Sequence, residues 1–107
     1  MVGERDEVRI EGFRWTERNE AHLLREHGVS IADVLAVRNN APLVFMASPR
    51  EGRVATHAMV GRDGRGRSLI IFISQTDEAG IWFVHTGYCA LLAHRLLEQR
   101  GSSDAAT

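Results

Sequence analysis

Four side chains near the C-terminus have the chemistry for acid–base work on a phosphodiester. Tyr88, His94 and Arg95 lie in one short segment, and His85 comes shortly before them. RNA cleavage without a metal needs a base for the 2′-hydroxyl proton, an acid for the leaving 5′ oxygen and a cation for the charged phosphorane. Histidine and tyrosine transfer protons and arginine supplies positive charge, so all four are candidate catalytic residues.

A closing helix would bring these groups to the sheet. We predict that it opens at Thr86 and Gly87 and runs to about Arg100, with one apolar face. That face comprises Tyr88, Leu91, Leu92, Arg95, Leu96 and Gln99. An arginine on a buried face is costly unless it is paired or lies at the rim of a cleft. The alternative is that Arg95 extends its charge to solvent, Tyr88 belongs to the core and the histidines are surface groups.

The middle of the chain is a basic island. Residues 38–67 carry a net charge of +4, whereas residues 1–37 carry −3 and residues 68–107 carry −2. Clusters of arginine bind phosphates, so Arg53, Arg62, Arg65 and Arg67 are candidate RNA-binding residues. The alternative is a solvated loop. The glycine-rich stretch 61–66 lacks the features of a nucleotide-binding loop and predicts a hairpin turn instead.

Metal and cofactor sites are not expected. The chain has five histidines and one cysteine, Cys89. His22 and His27 are about 140° apart around a helix, which is unfavourable for chelating one ion, and His57 is isolated in sequence. A structural zinc site is therefore improbable.

Composition limits the class of protein. The chain has 107 residues, 44% hydrophobic and 25% charged, which suits one globular domain. No apolar run reaches the roughly 18 residues of a membrane helix. A charged N-terminus with no signal segment and a single cysteine predict a cytoplasmic protein without disulfides.

Helix signals follow one another in the first forty residues. Thr16 is a candidate N-cap for a helix that ends at His27, where Gly28 would stop it. Residues 30–33 resemble a capping box, which predicts a second helix over Ile31–Asn39.

Strand signals surround these helices. They cover Val8–Trp15, with a bulge or bend at Gly12, and then Leu43–Ala47, Val54–Val60, Leu69–Ile73 and Ile81–Val84. The tight connections between the last four predict an antiparallel meander. The predicted fold class is α+β, with an N-terminal strand, two helices, the meander sheet and a closing C-terminal helix. We expect residues 1–7 to be flexible, 8–100 to form one domain and 101–107 to be disordered.

The segment from Phe13 to Ser30 resembles the opening of the BrnT-type toxin family. The family has an aromatic-x-Trp strand end, an Asn in the first helix and a Lys/Arg-x-His-Gly-Val helix end. Here these positions hold Trp15, Asn19, Arg25 or Glu26, His27, Gly28 and Val29. Arg53, Gly61, Gly66 and Arg67, ahead of the apolar strand Leu69–Ile73, also follow the family pattern. The resemblance covers roughly residues 8–100.

The resemblance implies a fold related to RelE-type ribonuclease toxins. It further implies RNA cleavage without a metal, and neutralisation by a cognate antitoxin protein that also binds DNA. On this interpretation the chain is the toxin of a type II toxin–antitoxin pair, with RNA as its substrate.

The closing segment departs from the family pattern. The family has Ser/Thr-Ala-Arg, then Thr, then Glu-Arg, whereas this chain has Thr86-Gly87-Tyr88, then Leu91, then His94-Arg95. Tyr88 therefore stands in place of an arginine and His94 in place of a glutamate. Either these two side chains supply replacement acid–base groups, or the chain is a non-catalytic module that binds a protein partner or nucleic acid.

Overall fold

The computed structural model describes residues 9–47 and 55–106, with side chains described as far as Arg100. It contains β1 (Gly12–Arg14), α1 (Glu17–His27), α2 (Ile31–Asn39), β2 (Leu43–Met46), β3 (His57–Arg62), β4 (Ser68–Gln75), β5 (Ile81–Cys89) and α3 (Leu91–Ala106). The α+β class is confirmed. The segment 1–7 and Arg53 lie outside the described residues.

Both N-terminal helices begin and end where their capping residues predicted. The Thr16 side chain accepts from the backbone N–H of Asn19, and Gly28 closes α1 in the left-handed conformation, with φ of 65°. At the start of α2, Ser30 and Asp33 form a reciprocal capping box. Local capping bonds therefore define where α1 ends and where α2 begins.

The sheet is mixed, with strand order β1-β5-β4-β3-β2. The four later strands form the predicted antiparallel meander, with β4 at the centre. The first strand is shorter than the predicted Val8–Trp15 and lies parallel to β5. At the start of this strand, the backbone N–H groups of Glu11 and Gly12 both donate to the carbonyl of Gly80. Regular pairing with β5 therefore begins at Gly12.

Two apolar cores lie on opposite faces of the sheet. One contains α1 and α2 residues such as Leu23 and Val34, packed with Ile71 and Trp82. The other contains Ala93 and Leu97 of α3 with strand residues that include Ile70 and Phe72. Residues 69–73 are buried throughout, as expected of a central strand that is covered on both faces.

The last strand is longer than predicted. It continues past Val84 to Cys89, so Thr86, Gly87 and Tyr88 belong to β5 and not to the closing helix. A register shift opposite Phe72 and Ile73 interrupts its alternating pattern, which explains why periodicity alone ended the strand too early. The close packing of β4 and β5 favours glycine at position 87, because a Cβ there would lie 2.6 Å from Ile71 Cδ1 and 3.1 Å from the carbonyl oxygen of Ile70.

The closing helix also presents a different face from the one predicted. Without Tyr88 in the helix, the inward positions are Ala93 and Leu97, spaced by four residues, while Leu91 is 63% exposed and Arg95 is exposed. The prediction that Tyr88 and Arg95 share a buried helical face is therefore wrong. The helix also continues beyond Arg100, to Ala106. In the described part of the chain, no helix is long and apolar enough to cross a membrane.

Candidate active site

Tyr88 lies in a row of rings that joins β5 to α1. Its ring centroid is 5.6 Å from that of His27 and 5.9 Å from that of Phe72. The His27 ring is in turn 5.4 Å from His22 in an edge-on arrangement. Tyr88 and His27 are half-buried and His22 is exposed, so the row runs from the sheet to solvent. We call His22, His27 and Tyr88 the histidine–tyrosine cluster.

The end of α1 brings these rings together. His27 is the last residue of the helix, and the N–H groups of Gly28 and Val29 cap it by donating to Leu24 and Leu23. Helical side chains lean toward the N-terminus, so the His27 ring extends back toward His22. Helix α1 packs along β5, which carries Tyr88 to the same place.

Arg67 stabilises this corner from the β3–β4 turn. Its Nε donates to Asp63 Oδ2 at 2.7 Å, its Nη2 to Asp33 Oδ2 at 3.0 Å and its Nη1 to the carbonyl of Gly28 at 3.1 Å. Asp63 is fully buried and also accepts from the backbone N–H groups of Arg65 and Arg67. Every nitrogen of the Arg67 guanidinium is therefore engaged in holding the turn against the α1–α2 corner.

Asp63 and Arg67 stabilise each other's charged forms in this turn. Burial pushes the pKa of Asp63 upward, but the hydrogen bonds from the Arg67 side chain and from the backbone of Arg67 and Arg65 outweigh it. The net result is a pKa below the usual 3.8. The hydrogen bond to Asp63 raises the pKa of Arg67, while burial opposes that rise. The ion pair is thus charged at neutral pH and is structural.

The other candidate RNA-binding arginines have different surroundings. Arg62 donates to Ser68 Oγ at 3.1 Å and to Glu98 Oε2 at 3.2 Å, which links β3 to α3. Arg65 is 64% exposed and approaches Asp33 Oδ2 at 3.5 Å. Arg65 therefore presents a largely open guanidinium at the corner where Arg67 holds Gly28.

His85 occupies a separate environment in β5. Its Nε2 lies 2.7 Å from Ser74 Oγ, its carbonyl accepts from Asn19 Nδ2 at 3.2 Å, and its ring contacts Phe83 at 5.0 Å. Burial lowers the pKa of His85 below 6.5. The side chain is therefore neutral at physiological pH.

His94 and Arg95 lie in the first turns of α3, and both are exposed. The backbone N–H of His94 donates to the carbonyl of Ala90. These two side chains are available to a ligand approaching from solvent. The structure thus divides the four candidate catalytic residues among Tyr88 in the cluster, His85 beside Ser74, and the surface pair on α3.

The donor set of the cluster is unlike a metal site. Within residues 9–47 and 55–106, no group of three or more His, Cys, Asp or Glu side chains is arranged to hold a metal ion. Two imidazoles and one phenol can instead transfer protons, because each is able to donate or accept a hydrogen.

Sequence reasoning missed His22 and His27 as members of a site. It considered His22 and His27 together only as metal ligands, and it placed His27 at the end of the first helix. The sequence does carry one signal, since a histidine directly before a left-handed glycine has a fixed position. The contact of the His27 ring with β5 depends on the full length of that strand, and the sequence pattern predicted a shorter strand.

Comparisons with known proteins find similarity among the solved structures. No family model matches this chain, and no curated protein matches it. Among solved structures, the chain is similar to the ribonuclease toxin BrnT of Brucella abortus, whose crystal structure was determined at 1.1 Å resolution. The TM-score is 0.56 at 15% sequence identity, over 74% of this chain and 95% of that one.

This likeness is one of fold. It covers almost the whole of the toxin, and it agrees with the α+β architecture of three helices and a five-stranded mixed sheet. The expectation of a BrnT-like fold is therefore confirmed at the level of architecture. Function has to be argued from the site.

Proposed function

We propose that this chain is the toxin of a type II toxin–antitoxin pair and cleaves RNA without a metal. The observation that carries the proposal is the contact between His27 and Tyr88, with His22 at the solvent side. The chain is similar in fold to a ribonuclease toxin. That similarity supports this chemistry but does not by itself assign it. A cognate antitoxin protein is part of the proposal, as is a cytoplasmic location.

The cluster contains the groups that the reaction needs. His27 accepts the 2′-hydroxyl proton, and the 2′ oxygen attacks phosphorus as the P–O5′ bond breaks. The leaving 5′ oxygen takes a proton from Tyr88 or from His22, which leaves a 2′,3′-cyclic phosphate and a 5′-hydroxyl. Histidine suits both roles because it changes charge near neutral pH.

Exposed basic side chains bind the substrate in this proposal. Arg65 is the exposed arginine of the β3–β4 turn, and it stabilises the negative phosphorane. His94 and Arg95 contact RNA phosphates from the surface of α3, and Arg62 and Arg53, the latter outside the described residues, are further candidates for phosphate contacts. His85 remains a candidate for proton transfer from its neutral form.

Cleavage of a labelled structured RNA in excess EDTA tests the proposal directly. Wild-type protein should produce 2′,3′-cyclic phosphate ends, and His27→Gln should lose most of the activity. The matched control is His57→Gln, which replaces a half-buried histidine whose ring contacts Trp82. Absence of cleavage by folded wild-type protein, or equal losses in the two variants, would contradict the proposed site.

A second candidate function is a non-catalytic module that binds a protein partner or nucleic acid. It is favoured by the internal bonding of Arg62 and Arg67, two of the four candidate RNA-binding arginines. This function predicts no RNA cleavage at any protein concentration. RNA affinity that falls with salt concentration would identify a nucleic-acid-binding module, and absence of that affinity would identify a protein-binding one. Measuring binding and cleavage on the same RNA separates the two candidates.

A further inference from the structure

Helix α1 contacts the rest of the protein through a narrow stripe of side chains. Of its eleven residues, only Asn19, Leu23 and His27 are not exposed, and they recur at intervals of four. Side chains with this spacing lie on one face of a helix. Leu23 is fully buried, whereas Asn19 and His27 are half-buried at the two ends of the stripe. Apolar burial is non-directional, so the directional contacts of α1 with the sheet come from its two polar ends.

The contact at the N-terminal end is with a β-bulge in β5. The pairing of β5 with β4 shifts by one residue between Val84 and Thr86, so His85 is the extra residue of the bulge. Such a residue is left out of the ladder. The Nδ2 group of Asn19 donates to the carbonyl oxygen of His85 at 3.2 Å. Because β1 pairs with β5 as far as Phe83, a side chain of α1 takes the place of a strand partner at this carbonyl.

The N-cap of α1 orients the Asn19 amide. Thr16 Oγ1 accepts from the backbone N–H of Asn19 at 3.1 Å and donates to Asn19 Oδ1. With its oxygen bound to the cap, the amide directs its NH₂ group toward β5. An aspartate at this position would accept from Thr16 in the same way, but it has no hydrogen to donate to His85.

The spacing along the helix matches the spacing along the strand. His27 follows Asn19 by eight residues, which is about 12 Å along a helix axis. Tyr88 follows His85 by three residues, which is about 10 Å along a strand. Helix α1 and β5 therefore run side by side, with the Asn19–His85 hydrogen bond at one end and the His27–Tyr88 ring contact at the other.

A single contact at the C-terminal end would not fix the direction of the helix. Arg67 holds the residue after His27, through the carbonyl of Gly28, and it does so from the β3–β4 turn. The His27 ring leans toward the helix N-terminus, so its position depends on the helix axis as well as on this bond. The axis is defined once a second contact, from Asn19, holds the other end.

We propose that Asn19 is a positioning residue, which fixes the direction of α1 along β5 and thereby holds the His27 ring against Tyr88. It acts through the helix and is not a catalytic residue. Its effect on the ring contact is independent of the proposed function, whereas its effect on RNA cleavage rests on that function. A displacement of about 1 Å in a reacting group can slow a reaction by about 10²-fold.

Nuclear magnetic resonance on the protein without RNA tests the positioning directly. Tyr88 is the only tyrosine of the chain, so a nuclear Overhauser effect between its ring and the His27 ring can be assigned without ambiguity. Wild-type protein should show it, since the ring centroids are 5.6 Å apart. Asn19→Asp and Asn19→Leu keep the size of the side chain and remove the donor. Both should lose most of the signal, and its retention in both would overturn the proposal.

Two comparisons separate positioning from other effects of these variants. Ala21→Gly changes an exposed position of α1 and weakens the helix, but it leaves the bond from Asn19 to His85 in place. It should keep the signal between the rings. An equal loss in Ala21→Gly would assign the effect to helix stability and overturn the proposal. A loss in Asn19→Asp alone would assign it to the added charge, with the same consequence.

Single-turnover RNA cleavage then measures the catalytic consequence. Asn19→Leu, which adds no charge, should cleave about 10²-fold more slowly than wild type at unchanged RNA affinity, and Ala21→Gly should cleave at the wild-type rate. A wild-type protein that does not cleave would contradict the proposed function, and the ring signal would still decide the role of Asn19. Unchanged cleavage after the ring contact is lost would contradict the proposed active site and leave the positioning of the ring confirmed.

Discussion

The Nη1 group of Arg67 donates to the carbonyl oxygen of Gly28 across 3.1 Å, and this bond ties the β3–β4 turn to the residue that follows His27. The same guanidinium binds Asp63 and Asp33. The chain therefore connects its hairpin, its helix corner and its candidate active site through one side chain. Changes to this ion-pair network should affect both stability and the position of His27.

Asp63→Ala should lower the free energy of unfolding by about 3 kcal/mol, since removing one partner leaves the other charge of a buried pair uncompensated. Asp63 is fully buried and accepts from Arg65 and Arg67. Urea unfolding followed by circular dichroism measures the loss. Asp77→Ala is the control, because that carboxylate is 92% exposed and its ion pair with Arg14 should contribute little. Similar losses in the two variants would argue against a structural role for Asp63.

Stability should fall as the pH drops below 6.5, and His85 should be one cause. Burial lowers the pKa of His85 in the folded state, so the unfolded chain binds a proton first as the solution is acidified. The contribution of His85 is thus present above pH 6.5 and is lost as the pH falls through the folded pKa. The unfolding free energy of His85→Gln should change less with pH than that of wild type between about pH 5 and about pH 8. An unchanged pH slope in His85→Gln would contradict this assignment.

Tyr88→Phe should abolish most cleavage and leave the fold intact. The variant keeps the ring that packs against Phe72 and His27 and removes only the hydroxyl. General acid catalysis contributes about 10²-fold or more, so single-turnover cleavage should slow by about that factor while RNA affinity is retained. Unchanged cleavage would transfer the acid role to His22 and remove Tyr88 from the mechanism.

Gly87→Ala should destabilise the sheet by about 1–3 kcal/mol, because the new Cβ would overlap the packed core. It would lie 2.6 Å from Ile71 Cδ1 and 3.1 Å from the carbonyl oxygen of Ile70. Gly64→Ala is the control, since nothing lies within 4 Å of its added Cβ. Thermal unfolding of both variants measures the difference, and equal melting temperatures would mean that β4 and β5 can separate to accept a side chain.

Part of this architecture could be predicted from local sequence. Thr16, Gly28 and the Ser30–Asp33 capping box define two helices through bonds between neighbouring residues. The apolar run Leu69–Ile73 predicted a central strand, which β4 confirms. Such features depend on contacts a few residues apart, so a single sequence contains the information that they need.

The candidate site depends on contacts between distant residues. Tyr88 was assigned to a helix because its spacing with Leu91 and Leu92 matches helical periodicity. In the fold, pairing with Ile70 keeps it in β5, and a register shift conceals the strand pattern. The same pairing turns Arg95 outward, because the helix begins after Tyr88 and buries Ala93 and Leu97 instead.

By itself, the sequence determined the caps, the order of the elements and the chemical types available for catalysis. Tertiary structure decided that β1 pairs in parallel with β5, that Arg67 is occupied by Asp63 and Asp33, and that His27 meets Tyr88. The physical reason is that capping and turn bonds are local. Sheet register and ring contacts instead require groups from distant parts of the chain to be packed together, and periodicity within one segment does not encode them.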